Sequence, residues 1–231
     1  FQGCYPEFMS FFSNAFPPFI AGAAVGASTL ALRRYGHGVR ERFPLVWLCF
    51  TLGMTLWFMG ETSWAVYTLL FGVELPYPSI ADVFWLGGYI PLFIALYLYV
   101  KTFGSVLSRR TIGIAMLVTF ILSVLVSTTL ITPVVGADED LVTALVDFAY
   151  PLLDLVLFSV AVLGLTVFLK GSLGKSWLLI SAGILSFTGA DMLFSYTTAQ
   201  GVYYTGHFLE LLFHFGDLLF ILAFHVHVKE L

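Results

Sequence analysis

Seven times in this chain an apolar run is long enough to cross a bilayer, and nothing else in it restricts the fold as much. A span needs about 20 predominantly apolar residues. Such runs cover 12–32, 44–71, 79–100, 111–132, 141–169, 176–199 and 207–228. In hydrocarbon a backbone must satisfy its own hydrogen bonds, so each run is predicted to be a helix. The connections are short and leave no room for a soluble domain. The expected fold is all-α: a polytopic membrane protein built as a seven-transmembrane helix bundle. The composition agrees, because only 10% of residues are charged, against about 25% in a soluble domain.

The ends carry their own expectations. FQG at the start matches the end of a common protease-site tag. Residues 1–8 are therefore read as a tag or linker remnant, and 9–231, from Met9, as a single transmembrane domain. Two cysteines, Cys4 and Cys49, are too few for a disulfide framework.

Orientation follows from the basic residues. Arg33, Arg34, Arg40 and Arg42 follow the first span, Lys101, Arg109 and Arg110 the third, Lys170 and Lys175 the fifth, and Lys229 the seventh. All ten fall on one side, whereas Glu74 and Asp138-Glu139-Asp140 fall on the other. The positive-inside rule predicts an outside N-terminus and a cytoplasmic C-terminus. Gly22-x-x-x-Gly26, set among alanines, is expected to bring the first helix close to a neighbour. GSLGKS at 171–176 lacks the full phosphate-loop spacing and reads as a turn.

Helices 2–3, 4–5 and 6–7 read as three hairpins. Tyr77-Pro78…Asp82, Tyr150-Pro151…Asp154 and Phe213-His214…Asp217 echo one another, and Gly60-Glu61…Gly72 echoes Gly189-Ala190-Asp191…Gly201. Such repeats often hold a site at their shared interface.

The chemistry lies in acids that have no basic partners. Glu61, Asp82, Asp147, Asp154, Asp191, Glu210 and Asp217 lie within the spans, and no lysine or arginine does. A charge at the bilayer centre costs about 2.5–3.5 kcal/mol even on a lenient scale. The acids must therefore be protonated, hydrated or bound to a cation. Helical spacing puts Trp57, Glu61 and Trp64 on one face, Asp82, Trp85 and Tyr89 on another, and Phe187, Asp191 and Phe194 on a third. His207, Glu210, His214 and Asp217 share an arc of roughly 80°. Pro91 and Pro151 are expected to kink their helices and free backbone carbonyls towards the interior.

Three readings compete. A divalent metal such as zinc would take His207, Glu210, His214 and Asp217. A small ligand or organic cation would take Glu61, Asp82, Asp191 and Glu210, caged by Trp57, Trp64, Trp85 and Tyr89. Alternatively the polar groups hold helices together. His225 and His227, two residues apart, point to different faces and read as interfacial, and His37 reads as solvated.

A retinal protein is not expected, because the last helix has no central lysine for a Schiff base. Seven-helix metal hydrolases space their last-helix histidines as H-x-x-x-H, a pattern absent here, and no catalytic set stands out. PYPSIADVFWLGGYIPL (76–92) and YPLLDLVLF (150–158) resemble the multi-helix N-terminal membrane regions that precede PAS, histidine-kinase or GGDEF-type output domains in bacteria and archaea. The resemblance implies a sensory or receptor domain in the cell membrane, signalling through helix 7. Its expected partners are the lipid bilayer, a small ligand or cation, a cytoplasmic signalling domain after Leu231 and a second copy of the chain, with no nucleic acid. A metal-dependent hydrolase and a cation or proton transporter are the alternatives.

Overall fold

The computed structural model describes residues 5–35, 42–73, 75–103, 108–131, 140–169 and 174–230. Cys4, His37, Arg40, Glu74, the acids 138–139, Lys170 and residues 171–173 of the 171–176 turn lie outside the described residues. Seven long helices form: α1 (Pro6–Arg33), α2 (Arg42–Ala65), α3 (Ile80–Phe103), α4 (Arg109–Val126), α5 (Leu141–Leu169), α6 (Lys175–Ala199) and α7 (Glu210–Glu230). α2 and α4 each end in a widened π turn, Val66–Phe71 and Ser127–Ile131. There is no strand among the described residues. Each helix is long and apolar enough to cross a membrane, and the chain is a multi-pass membrane protein.

The outer surface supports that conclusion. Phe19, Leu70, Leu141 and Phe208 are each at least two-thirds exposed, a pattern that water would penalise and lipid does not. Two boundaries differ from the sequence reading. α1 starts at Pro6, inside the expected remnant, with Pro6 in its first turn, where a missing N–H costs nothing. α7 starts at Glu210 and not 207, so His207 lies in the preceding turn.

α1 packs on α2 and α7, α2 on α3, α3 on α5, α5 on α6, and α6 on α7. These six helices close a ring, with α4 outside it against α5. At the end holding Arg33 and Lys175 the interior is aromatic: Trp47, Phe50, Tyr99, Trp177, Phe220 and Phe224 are all buried. Tyr99 stacks on Trp177 at 3.5 Å between centroids.

In lipid there is no hydrophobic drive between helices, so close backbone approach matters. It occurs at two glycine pairs. A Cβ on Gly53 would meet Leu92 at 2.5 Å and the Gly88 carbonyl at 3.3 Å, and one on Gly88 would meet Trp57 at 2.5 Å. On the other side of the ring, a Cβ on Gly216 would meet Phe187 at 2.4 Å and the Gly183 carbonyl at 3.3 Å. The expected motif in α1 does less. Gly22 lies under Phe58, while Gly26 is exposed and would meet nothing within 4 Å. Gly72 (φ 63°) and Gly201 (φ 67°) end α2 and α6 in the left-handed conformation, as helix-terminating glycines do.

Candidate functional site

α3, α5 and α6 meet at three polar side chains. The Tyr89 hydroxyl, from α3, lies 2.6 Å from Oδ1 of Asp154 and 3.0 Å from Oδ2 of Asp191. A hydroxyl has one proton to donate, and two carboxylates have none to share. To hold both contacts at once the hydroxyl must donate to one carboxyl and accept from the other, which then carries a further proton. Asp154 is buried, and its Oδ2 has no protein partner. The cluster is a proton-sharing arrangement in the interior of the bundle.

Beside it, on α2, Glu61 lies within electrostatic reach of Asp191 and Glu210, close to the Trp85 indole. Asp217, buried on α7, lies within electrostatic reach of Glu61. The glycine before Glu61 has a reason: the Trp85 ring lies over Gly60, where a Cβ would come within 2.4 Å of its Nε1. Carboxyls from α2, α5, α6 and α7 thus occupy one interior region.

The expected aromatic groups are engaged in packing. Trp57 is buried, stacks on Phe187 at 4.7 Å and donates its N–H to the Trp85 carbonyl at 3.1 Å. Trp64 is 40% exposed and turns towards α1, donating to Asn14 Oδ1 at 2.8 Å. Trp85 lies 6.1 Å from Trp64 and Tyr89 lies 5.8 Å from Trp57, centroid to centroid.

Two of the acids have structural partners at helix starts. Asp82 accepts the backbone N–H and hydroxyl of Ser79 at 2.7 and 2.8 Å, while Ala81 donates to the Ser79 hydroxyl. This is a reciprocal capping box that satisfies the first turn of α3. The Tyr150 hydroxyl donates to the other Asp82 oxygen at 2.8 Å and ties α5 to that cap. Glu210 Oε1 accepts the Tyr203 hydroxyl at 2.8 Å and the Gly206 N–H at 2.7 Å. Asp147 accepts from the Tyr77 hydroxyl.

The expected zinc set is not assembled. Among the described residues no three His, Cys, Asp or Glu side chains stand where one metal ion would need them. His207 left the stripe because the chain turns before α7, and its Nδ1 accepts the Leu209 N–H at 3.3 Å. The His214 ring packs edge-on against Phe16 at 4.9 Å, and Asp217 is buried and does not line the depression that holds the other three. His207, Glu210 and His214 do line one depression of about 360 Å3, with Phe12 and Leu211 among its walls. His225 and His227 do point apart, but only His225 is exposed. His227 is buried, stacked 4.0 Å from Trp47 and bonded to Tyr35.

Asp154, Tyr150, Tyr203 and Asn14 were missed as site residues. The two Tyr-Pro…Asp strings were read as a repeat and not as a supply of hydroxyl donors for the acids. Compared with protein-family models, with curated proteins and with solved structures, the chain matches none.

Proposed function

We propose that this chain is the sensory domain of a membrane signalling protein. It reads a proton or small cationic ligand at the interior carboxyls and passes the change through α7 to a cytoplasmic domain beyond residue 231. The observation that carries this reading is the Tyr89–Asp154–Asp191 cluster. Its hydrogen bonds need a shared proton, no lysine or arginine in any span neutralises it, and it adjoins Glu61 and, through it, Asp217 on α7. Losing a proton or gaining a cation there changes which contacts hold, and α7 carries one face of that region. The resemblance of 76–92 and 150–158 to sensor regions points the same way.

The reading includes an outside N-terminus and a cell membrane of bacterial or archaeal type, on the strength of the one-sided basic residues. It also treats α2–α3 and α6–α7 as two copies of one hairpin. Gly53 precedes Trp57 and Glu61 at the same intervals at which Gly183 precedes Phe187 and Asp191. Gly88 follows Asp82 as Gly216 follows Glu210. That register differs by seven residues from the echo of Asp82 in Asp217 read from the sequence: Tyr89 corresponds to Asp217, and Trp57 and Phe187, equivalent residues, stack on each other.

Spin labels at the exposed positions Leu30 and His225, with the native cysteines replaced, test the movement. The distance between α1 and α7 should change on acidification, in step with the infrared carboxyl band, and the change should vanish in Asp154→Asn. A distance that stays fixed while the carboxyl band titrates rejects the sensory reading. Proton or cation transport is a second reading, favoured by the buried Ser176 and Ser181 hydroxyls on the opposite half of α6, which have no protein partner. Dye-reported flux in proteoliposomes separates it from sensing.

A further inference from the structure

The depression between α1 and the start of α7 is lined by none of Tyr89, Asp154 and Asp191, and its chemistry is specific. One wall is apolar, formed by Phe12 and Leu211 with the Phe208 ring beside them. The other presents His207, Glu210 and His214. Two of those groups have unused hydrogen-bonding capacity. His214 is only 7% exposed, and its Nδ1 has no partner although it is buried. Both structural bonds to Glu210 fall on Oε1, which leaves Oε2 for another donor. A buried polar atom left unpaired is costly unless something fills the site.

We propose that this depression binds the ammonium group of an amphipathic amine, with the charge on Glu210, an N–H on His214 and the apolar stem along Phe12 and Leu211. An ammonium supplies three donors and no acceptor, which matches a carboxylate oxygen and an imidazole nitrogen. No lysine or arginine lies within the apolar runs to compete for Glu210. A bare divalent cation fits less well, because three ligands do not converge there. The volume of about 360 Å3 lies within the usual range for small-molecule sites. The same chemistry has two sources, a free arylalkylamine or the ethanolamine headgroup of a lipid. The inference concerns binding alone and stands whether or not α7 transmits a signal.

The test uses the full chain in nanodiscs. 2-Phenylethylamine is titrated calorimetrically in phosphatidylcholine discs, with 2-phenylethanol as the uncharged control. In parallel, mass spectrometry counts phosphatidylethanolamine retained from mixed-lipid discs. Glu210→Gln keeps the Oε1 acceptor for Tyr203 and Gly206 but removes the charge. It should weaken amine binding or lipid retention about tenfold or more. Leu211→Trp fills the depression without touching a polar group and should have the same effect, with thermal unfolding confirming that both variants fold. Saturable amine binding lost in both variants supports the site with a free amine as occupant, and retained phosphatidylethanolamine lost in both supports it with a lipid. The absence of both, or binding indifferent to both variants, overturns the proposal.

Discussion

The Tyr35 hydroxyl and Nε2 of His227 lie 2.5 Å apart, joining the exit of α1 to the last turn of α7. His227 is sandwiched there, 4.0 Å from Trp47 and 5.7 Å from Tyr35 between centroids. This contact fixes the end of the helix that would carry a signal out of the bundle. Tyr35→Phe keeps the stacking and removes the partner of a buried ring nitrogen, which costs about 1–3 kcal/mol. Thermal unfolding in detergent should fall accordingly, and labels on α7 should report a broader distance distribution. His225→Ala, on the exposed face two residues earlier, should change stability by about 0.5 kcal/mol or less.

The glycine pairs make a graded prediction. Gly53→Ala and Gly216→Ala place a methyl 2.5 and 2.4 Å from Leu92 and Phe187, with a carbonyl 3.3 Å behind each. The facing side chain or the helices must shift, at a cost of about 1–3 kcal/mol each. Gly26→Ala and Gly189→Ala meet nothing within 4 Å and should be neutral or slightly stabilising, since alanine favours the helix. Denaturation of the four variants side by side tests the order.

Those glycines also mark what was legible in the sequence. Apolar run length predicted all seven helices, because membrane thickness leaves a span little freedom. Which glycines matter depends on which helices meet, and periodicity along one helix does not contain that. Gly22-x-x-x-Gly26 fits a contact motif yet has an exposed member, whereas Gly53 and Gly88 lie 35 residues apart and form no local pattern. The acids behave alike. Their existence and their lack of cations were plain, but Tyr89, Tyr150 and Tyr203 reach them from other helices or from a turn. His207 was misplaced for a local reason: the stripe was extrapolated through a turn in which Gly206 takes a φ of 85° and donates its N–H to Glu210.

Asp140 gives a pH dependence at the start of α5. Its carboxylate accepts the Thr143 hydroxyl at 2.5 Å and the amides of Val142 and Thr143 at 3.2 and 3.4 Å. The Thr143 hydroxyl first, then these amides, hold it below the ordinary carboxylate range. A depressed folded value means that the cap is fully present above the unfolded carboxylate value and is lost as pH falls through the folded one. The Thr143 amide chemical shift should therefore titrate at a pH below that of a free aspartate. In Asp140→Asn that step should disappear, and a step at the ordinary aspartate value in wild type would contradict the cap.

The Tyr89 hydroxyl makes the last prediction, because it separates a shared-proton cluster from simple packing. Tyr89→Phe preserves the ring against Trp57 and removes only the oxygen between Asp154 and Asp191. A buried acceptor loses its donor, so the single variant should cost about 1–3 kcal/mol. Asp154→Asn supplies its own N–H donors at nearly the same shape and no longer depends on a carboxyl proton. If the three groups form one network, Tyr89→Phe should cost much less on the Asp154→Asn background than in wild type. That interaction energy should fall in the range of about 0.5–3 kcal/mol expected for residues in one network. Strict additivity in a double-mutant cycle, measured by chemical denaturation in detergent, would mean that the tyrosine is held by its ring alone. The carboxyl pair would then have to find its proton without it.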